Sequence, residues 1–597
     1  MKNRPLPDSA RGLGLVQLSL LALGVGVATG LGAVLFRDLI GLIHNLLFLG
    51  EPSVQYDANR FTPPSPWGPL VILVPVVGAL VVTFLVTKFA PEARGHGVPE
   101  VMDAIYYKGG VIRPVVAVVK SLASAVSIGS GAAVGREGPI IQIGSALGST
   151  LGQIVRMPPG QRITLVAAGA GAGIAATFNT PIGGVMFAIE MMMPEVSALT
   201  FLPVAIATGA ATFIGRFFFG LEPAFRVPEL APLAIDWSSA LALVLYALLG
   251  AITGVAAAGF IRGLHFFEDG FHRIRNPYAR HVAGMLALGV LIYALQRLFG
   301  HYYVEGVGYA TVQSILLGGL SVGPLLVLLF VCKLVATSLS LGSGASGGIF
   351  SPSLFMGATI GGAFAAALAA LPLPFAINIP SFAMVGMGAM VGGGTGAVMT
   401  AVAMIFEMTR DYDIVTPMIV AVAVSVGVRR LLSPESIYTL KLFRRGQVLP
   451  KALHANMFLV RRAKEVMDTD VVVAPAGTGF DAFLARPDHA GRLRHVVVTD
   501  QGRIVGVLRI NTAMRRASQE APPGLALGDV AMRNFTVVRE DDIVSDVIRR
   551  MWRKDAIMAL VVRSPGVPHG KDVLGVITKE HVADSVANSV RMYPAWE

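Results

Sequence analysis

The sequence is poor in cysteine and in charged residues, and each shortage excludes a class of protein. Its single cysteine, Cys332, lies inside an apolar stretch, which excludes an intramolecular disulfide and a cysteine-ligated metal cluster and is typical of core packing. Charged residues make up 14% of the 597 residues and hydrophobic residues 54%. Because soluble domains carry about 25% charged residues, we predict a membrane protein.

Apolar segments long enough to cross a bilayer recur from Leu13 to Val428, which predicts a polytopic all-α membrane domain. The first segment has no small-residue cleavage site and is expected to remain as a transmembrane helix. Basic residues precede it and follow the last segment: Lys2, Arg4, Arg11, and then Arg429, Arg430, Lys441, Arg444, Arg445, Lys451, Arg461 and Arg462. Both termini are therefore predicted to be cytoplasmic, and the net charge of +11 reflects topology rather than a nucleic-acid partner.

An arginine and a glutamate interrupt one of the most apolar stretches. Between Ser121 and Val155, Arg136 and Glu137 are the only charged residues, within "GSGAAVGREGPIIQIG" at 129–144. A charge at membrane depth costs about 3 kcal/mol or more. Such residues are functional candidates for this reason.

The membrane part also contains an internal duplication. Residues 129–144 align with "GSGASGGIFSPSLFMG" at 342–357, a shift of 213, and residues 168–191 align with residues 385–408, a shift of 217. In repeat-built transporters, paired apolar segments interrupted by glycine or proline mark the substrate site. Helices that begin at mid-membrane present free N–H groups and a partial positive charge. We therefore predict an anion site.

The tail, from about Val460, is less hydropathic and is also duplicated. Residues 465–484 resemble 529–548, and residues 494–514 resemble 558–582. Each copy is predicted to run strand, helix, strand, strand, helix, as a small α/β unit. The predicted boundaries are 1–440 for the membrane domain, 441–462 for a basic linker, and 463–520 and 526–597 for the two tail repeats.

Three signature stretches occur in a characteristic order: "GHGVPE" (95–100), "GREGP" (135–139) and "GGIFSP" (347–352), followed by Tyr438 in "SIYTLKL". With these motifs the chain resembles the CLC chloride channels and chloride/proton antiporters, and its tail resembles a pair of CBS domains. The resemblance implies two inverted halves with re-entrant helices, a homodimer with one pathway per subunit, and no enzymatic activity. It also implies a bacterial-type inner membrane location and no required cofactor.

The resemblance further assigns roles to individual positions. Glu137 is expected to be the gate, because its carboxylate imitates the anion until it is protonated or displaced. Arg136 is expected to make a structural or field-shaping contact. The implied anion-binding positions are His96, Gly97, Gly138, Ile349, Phe350 and Tyr438.

Two positions depart from the family pattern. His96 stands where a serine hydroxyl usually contributes to the anion site, so anion preference and pH response are both open. Met191 stands where many antiporters carry a second acid that takes up cytoplasmic protons, and a thioether cannot carry a proton. We therefore expect a channel-like or loosely proton-coupled anion pathway. The alternative is a coupled antiporter in which water or Glu190 relays protons.

The tail offers two candidates for nucleotide binding. CBS pairs in other proteins often bind adenine nucleotides through a threonine or an aspartate, and here Thr578 lies in "GVITKEHV" whereas Arg509 replaces the hydroxyl in "GVLRIN". Binding of an adenine nucleotide and a purely structural role remain equal alternatives.

Other functions are compatible with parts of the sequence. "GASG" at 344–347 fits an intramembrane serine protease with Ser346 as nucleophile, but that chemistry needs a histidine on a neighbouring helix. The same fold could instead carry fluoride, nitrate or bicarbonate. A membrane sensor that moves no ion is a further alternative.

Overall fold

The structure is a computed structural model that describes residues 12–194, 196–228, 237–372, 376–447, 461–485, 495–510, 524–563 and 569–582. The chain divides into two compact units, 1–448 and 449–597. The predicted basic residues before Leu13 and most of the predicted linker, including Lys451, lie outside the described residues, as do parts of both tail repeats.

The first half of the membrane unit is a series of helices of very different length. They are α1 (Leu15–His44), α2 (Val74–Lys88), α3 (Val98–Tyr107), α4 (Val115–Gly129), α5 (Glu137–Ile154), α6 (Pro159–Phe178), α7 (Pro181–Phe187) and α8 (Ala198–Phe219). A π-helical turn extends α1 to Leu49 and another extends α7 to Met192.

The second half repeats this series in the same order. Its helices are α9 (Trp237–His272), α10 (Pro277–Phe299), α11 (Tyr309–Leu316), α12 (Gly323–Ser343), α13 (Phe350–Leu368), α14 (Ile379–Thr395), α15 (Val398–Thr409) and α16 (Val415–Leu432), and α17 (Ile437–Arg444) follows. The starts of α5 and α13 differ by the shift of 213, and those of α7 and α15 by 217. The predicted duplication therefore describes the order of the helices.

Eight helices among the described residues are long and apolar enough to cross a membrane. They are Leu15–Leu49, Gly68–Lys88, Ala198–Phe219, Ala240–His272, Pro277–Phe299, Gly323–Ser343, Phe350–Leu368 and Val415–Arg444. Other apolar helices, such as α4, α7 and α15, are too short to cross a bilayer. The C-terminal residues of these three helices, Gly129, Phe187 and Thr409, are buried within the protein, which is how non-spanning helices are tolerated at membrane depth.

The repeated glycines lie where helices of one half cross. A Cβ added at Gly144 of α5 would lie 2.2 Å from the carbonyl oxygen of Gly169 on α6, and one added at Gly169 would lie 2.0 Å from that of Gly144. Gly357 of α13 and Gly386 of α14 form the equivalent pair. A Cβ added at either one would lie 2.3 Å from the carbonyl oxygen of the other. Real Cβ atoms do not approach this closely, so both crossings require glycine.

The tail unit contains two three-stranded sheets of the same topology. Their strands are β1 (Val471–Pro475), β2 (His495–Asp500), β3 (Arg503–Arg509), β4 (Phe535–Arg539), β5 (Met558–Val562) and β6 (Val573–Thr578). In each sheet the central strand pairs parallel with the first and antiparallel with the third. Short helices follow β1 (α19, Phe480–Leu484) and β4 (α21, Val544–Arg553), and Ala463–Val466 and Leu527–Val530 form α18 and α20.

The two sheets share a hydrophobic core. Val497 and Val507 of the first sheet pack with Met558, Leu560 and Val576 of the second, and all five side chains are buried. The repeated pattern agrees with the predicted duplication of the tail. The predicted limits of its two repeats are not tested by this structure and stay predictions.

Candidate functional site

The three motif loops meet at the centre of the membrane unit through backbone hydrogen bonds. Gly135 and Gly348 exchange bonds of 2.7 and 2.6 Å, so that the loops before α5 and α13 form a small bridge. Gly95 receives the N–H of Gly347 at 3.3 Å and donates to the carbonyl of Ala345 at 3.2 Å. The N-termini of α3, α5 and α13 are thereby brought together.

Two glycines at the starts of α3 and α5 occupy positions that other residues rarely fit. Gly97 has a φ of +83°, a conformation that other residues rarely adopt. A Cβ added at Gly138 would lie 2.2 Å from the carbonyl oxygen of His96. Both residues therefore permit backbone contacts that a side chain would prevent.

Four of the predicted anion-binding positions share one property. The backbone N–H groups of Gly97, Gly138, Ile349 and Phe350 donate to no acceptor within the described part of the chain. Gly138 and Phe350 lie in the first turns of α5 and α13, where no partner exists within the helix. Buried free N–H groups at helix N-termini attract an anion.

The carboxylate of Glu137 lies at the N-terminus of α13. The residue is 1% exposed, and its Oε1 accepts hydrogen bonds of 2.5 Å from the hydroxyls of Tyr309 and Ser351. Its Oε2 accepts the backbone N–H of Ser351 at 3.3 Å. A Cβ on Gly135 would lie 2.2 Å from Oε2, so the carboxylate rests directly on the glycine bridge. Glu137 thus accepts three donors at the N-termini of α11 and α13.

His96 and Tyr438 lie side by side and are both buried. Their ring centroids are 6.3 Å apart, and the residues are 5% and 2% exposed. Within the described residues, Nδ1 of His96 has no hydrogen-bond partner. Ser436 caps α17 by accepting the N–H of Thr439 at 3.3 Å, which fixes the helix that carries Tyr438.

Cavities of very different size lie next to these residues. A cavity of about 660 Å³ is lined by His96, and it contains the basic residues Arg94, Arg280, Lys441, Arg444 and Arg445 and the acids Glu100, Glu268 and Asp269. A cavity of about 20 Å³, enough for one water molecule, is lined by Tyr309 and Glu305. The structure is therefore open beside His96 and nearly closed beside Tyr309.

The guanidinium of Arg136 lies against two aromatic rings. Its Cζ lies 5.4 Å from the ring centroid of Tyr309 and 5.9 Å from that of Phe178. These are cation–π contacts, and they place the guanidinium beside Tyr309, which donates to Glu137. This geometry agrees with a field-shaping contact.

Comparison with known proteins identifies the membrane unit. A family model described as "Voltage gated chloride channel" matches residues 78–430. The H(+)/Cl(-) exchange transporter ClcA of Salmonella paratyphi B is 33% identical over 434 residues, which cover 71% of this chain and 88% of the relative. This chain belongs to the voltage gated chloride channel (CLC) family.

Solved structures agree with this assignment. A slow cyanobacterial Cl-/H+ antiporter is 27% identical with a TM-score of 0.64 and covers 72% of this CLC chain and 98% of its own. A eukaryotic CLC transporter is 19% identical with a TM-score of 0.58 and covers 95% of this chain and 98% of its own. The second likeness concerns the fold alone. The predictions of family, of a multi-span membrane protein and of the CLC fold with an α/β tail are confirmed.

A pair of buried lysines occupies matching positions in the two CLC halves. Lys120 on α4 donates to the carbonyls of Ala93 at 2.9 Å and Gly95 at 2.7 Å. Lys333 on α12, shifted by 213, donates to the carbonyl of Val304 at 2.9 Å and to that of Gly306 at 2.8 Å. Both lysines are fully buried. Each holds the loop that leads into a short helix, α3 or α11.

Glu190 is tied to the second half of the CLC unit. Its carboxylate accepts the N–H groups of Val398, Met399 and Thr400 at 2.7 to 3.2 Å and the hydroxyl of Thr400 at 2.8 Å. It therefore caps the N-terminus of α15. Met191, its neighbour, is half-buried in the π-helical turn.

Glu407 mirrors this arrangement at the shift of 217. Its carboxylate accepts the N–H of Ile182 at 3.0 Å and that of Gly183 at 2.7 Å, at the N-terminus of α7. Each half thus supplies the negative charge that caps a short helix of the other half.

The nucleotide candidates of the tail have local partners. Arg509 forms a two-pronged ion pair with Glu580, and the Arg509 guanidinium holds the pKa of Glu580 below its usual value. The hydroxyl of Thr578 accepts the backbone N–H of His581 at 3.3 Å. Both candidate side chains are therefore engaged within the tail unit.

Ser346 is part of the packing of the loops. Its hydroxyl lies 2.9 Å from that of Ser124 and donates to the carbonyl of Ala93 at 2.6 Å. Family membership places the chain among channels and transporters rather than enzymes. The serine-protease alternative is therefore not supported.

Sequence reasoning missed Tyr309, Lys120 and Lys333. Signals for all three were present. Each lysine is an isolated charge in an apolar helix, and the two lysines are 213 positions apart, the shift of the duplication. The stretch "GVGY" at 306–309 also resembles "GHGV" at 95–98. Tyr309 therefore stands in the second half where Val98 stands in the first.

Proposed function

We propose that the chain transports chloride or a related small anion along a pathway gated by Glu137. The observation that carries this proposal is the buried Glu137 carboxylate, which accepts the N–H of Ser351 beside the unpaired N–H groups of Ile349 and Phe350. A carboxylate and a halide compete for the same helix dipoles, so blocked and open states differ by only a few kcal/mol, about 1 to 3. Protonation of Glu137 removes its charge and frees the donors.

In this proposal His96, Gly97, Gly138 and Tyr438 complete the anion site from the side of the large cavity. The unpartnered Nδ1 of His96 supports a direct contact with the anion, because a buried polar nitrogen without a partner is costly. The basic residues of that cavity include Lys441, Arg444 and Arg445, which the positive-inside rule assigns to the cytoplasm. The wide end of the pathway is then cytoplasmic, as are both termini.

The proposed transport is channel-like or loosely coupled to protons. Met191 cannot carry a proton, and the four hydrogen bonds at Glu190 keep that carboxylate in a capping position. A coupled anion/proton antiporter is the second candidate. The relatives named above favour it, since one is described as an H(+)/Cl(-) exchange transporter and another as a Cl-/H+ antiporter.

A single reconstitution experiment tests these statements. Purified protein in liposomes is given a chloride gradient, and chloride efflux and proton movement are recorded together. We expect chloride efflux with little or no uphill proton movement. Stoichiometric proton uptake would favour the antiporter, and an absence of any anion flux at every pH would favour a sensor. Substituting fluoride, nitrate or bicarbonate for chloride identifies the preferred anion.

The remaining proposals concern assembly and the tail. We propose a homodimer with one pathway per subunit, located in a bacterial-type inner membrane, and a tail that forms a CBS pair. Because Arg509 and Thr578 are engaged with Glu580 and His581, a structural role of the tail is preferred over binding of an adenine nucleotide. Calorimetry of the full-length protein with ATP and AMP tests this preference.

A further inference from the structure

Two hydroxyl groups converge on the gate carboxylate from separate helices. Tyr309 at the start of α11 and Ser351 at the start of α13 each lie 2.5 Å from Oε1 of Glu137, and their hydroxyls are 2.7 Å apart. We propose that they form a hydroxyl latch that holds ionised Glu137 in its closed position and sets the pH at which the pathway opens. This inference rests on the proposed gating role of Glu137.

The position of the Tyr309 hydroxyl is fixed by its surroundings. Gly308, with a φ of +78°, turns the chain into α11. The ring of Phe225 packs edge-on against the ring of Tyr309, with 5.3 Å between the centroids. The guanidinium of Arg136 also lies over the Tyr309 ring. Lys333 holds the loop before α11 by donating to the carbonyl of Gly306. A hydroxyl held in this way keeps its orientation while the carboxylate moves.

The latch favours the charged carboxylate over the neutral one. An ionised carboxylate accepts from both hydroxyls, and such charge-assisted bonds are about twice as strong as neutral ones. A protonated carboxyl is neutral and accepts more weakly, so the bonds from both hydroxyls lose their charge assistance. Opening of the gate, whether by proton or by anion, has to break these bonds. Tyr309 and Ser351 are therefore positioning residues for the gate.

Other charged and titratable groups surround the same carboxylate. They are Arg136, Lys333, Tyr309 and Tyr438, and Glu305 lies next to Lys333. Ser351→Ala keeps all of these groups, and Tyr309→Phe keeps all of them except the Tyr309 hydroxyl. A change in pH response is then assigned to the latch itself.

The test compares chloride efflux from proteoliposomes for wild type, Tyr309→Phe and Ser351→Ala as a function of pH. Since a hydrogen bond to a charged group is worth roughly tenfold or more in an equilibrium, each variant should raise flux at neutral pH by about tenfold. The pH of half-maximal flux should move upward by about one unit, because less acid is needed to free the gate.

Matched controls remove hydroxyls that do not touch Glu137. Tyr303→Phe removes a hydroxyl bonded to the carbonyl of Phe299 in the same small cavity. Ser121→Ala removes one bonded to a carbonyl of its own helix. Both should keep the wild-type pH profile. In a Glu137→Gln background, Tyr309→Phe should cause no further change, as expected for two residues that act as one unit.

The possible failures are distinguishable. If wild type carries chloride but both latch variants keep its pH profile, the latch is refuted and the proposed function stands. The same holds if Tyr309→Phe has its full effect in the Glu137→Gln background, because the tyrosine then acts elsewhere. If neither wild type nor Glu137→Gln carries any anion, both proposals fail.

Discussion

Replacing Glu190 with glutamine separates a helix cap from a proton carrier. In wild type, Oε1 of Glu190 receives the N–H groups of Val398 and Met399, and Oε2 receives the N–H and hydroxyl of Thr400. Glutamine has one side-chain oxygen and one NH2 group. The NH2 group cannot accept hydrogen bonds, so the bonds to one of the two carboxylate oxygens are lost. The charge at the N-terminus of α15 is lost as well.

The cost follows from these contacts. Losing one or two charge-assisted bonds and a favourable helix-end charge amounts to about 2 to 4 kcal/mol. Glu407→Gln loses one of two bonds and should cost less, about 1 to 3 kcal/mol. Glu222→Gln is the control, since Glu222 is 72% exposed and its contact with Arg226 is 3.9 Å long; it should change stability by less than about 0.5 kcal/mol.

The assay is the melting temperature of the purified protein in detergent, measured together with chloride and proton fluxes in liposomes. We expect the melting temperature to be highest for wild type, lower for Glu407→Gln and lowest for Glu190→Gln. The chloride efflux of Glu190→Gln should fall with its stability, and its proton movement should stay as small as in wild type. A Glu190→Gln protein as stable as wild type that has lost proton movement alone would refute the capping argument. Glu190 would then have to be the proton carrier of a coupled antiporter.

Three further substitutions test the site and the fold. Glu137→Gln removes the charge that competes with the anion, so efflux should become high and independent of pH; an unchanged pH profile would place the gate elsewhere. His96→Ser should change the ratio of chloride to nitrate flux, and an unchanged ratio would mean that His96 does not touch the anion. Gly144→Ala should cost about 1 to 3 kcal/mol through overpacking, measured as a lower melting temperature, whereas Gly24→Ala, where a Cβ meets nothing within 4 Å, should be neutral or stabilising.

The sequence predicted the parts of the molecule that repeat. Gly144 and Gly357 were paired by the shift of 213, and Gly169 and Gly386 by the shift of 217. The structure brings Gly144 onto Gly169 and Gly357 onto Gly386. Small residues at helix crossings repeat because the backbones must approach closely, so a packing constraint becomes a visible pattern. Glu137 was visible for a different reason, namely the cost of a charge in an apolar stretch.

The contacts between distant segments could not be predicted in the same way. Nothing local to "GVGYA" at 306–310 indicates that the Tyr309 hydroxyl reaches a carboxylate 172 positions earlier. Glu190 is a proton-path candidate in the sequence because it precedes Met191, which stands where many antiporters carry a second acid. Its capping partners, Val398 to Thr400, lie more than 200 positions away. Side-chain contacts between halves depend on the fold, which neither periodicity nor spacing contains.

The exchange of glutamates between α7 and α15 bears on how such a protein arises by gene duplication. A single half on its own would leave one short helix without its acid and one acid without its helix. Only a second copy, inserted upside down beside the first, could supply both. Within one polypeptide each acid stays beside the helix that it caps, while other matching positions differ between the halves, with a tyrosine at 309 in one and a valine at 98 in the other.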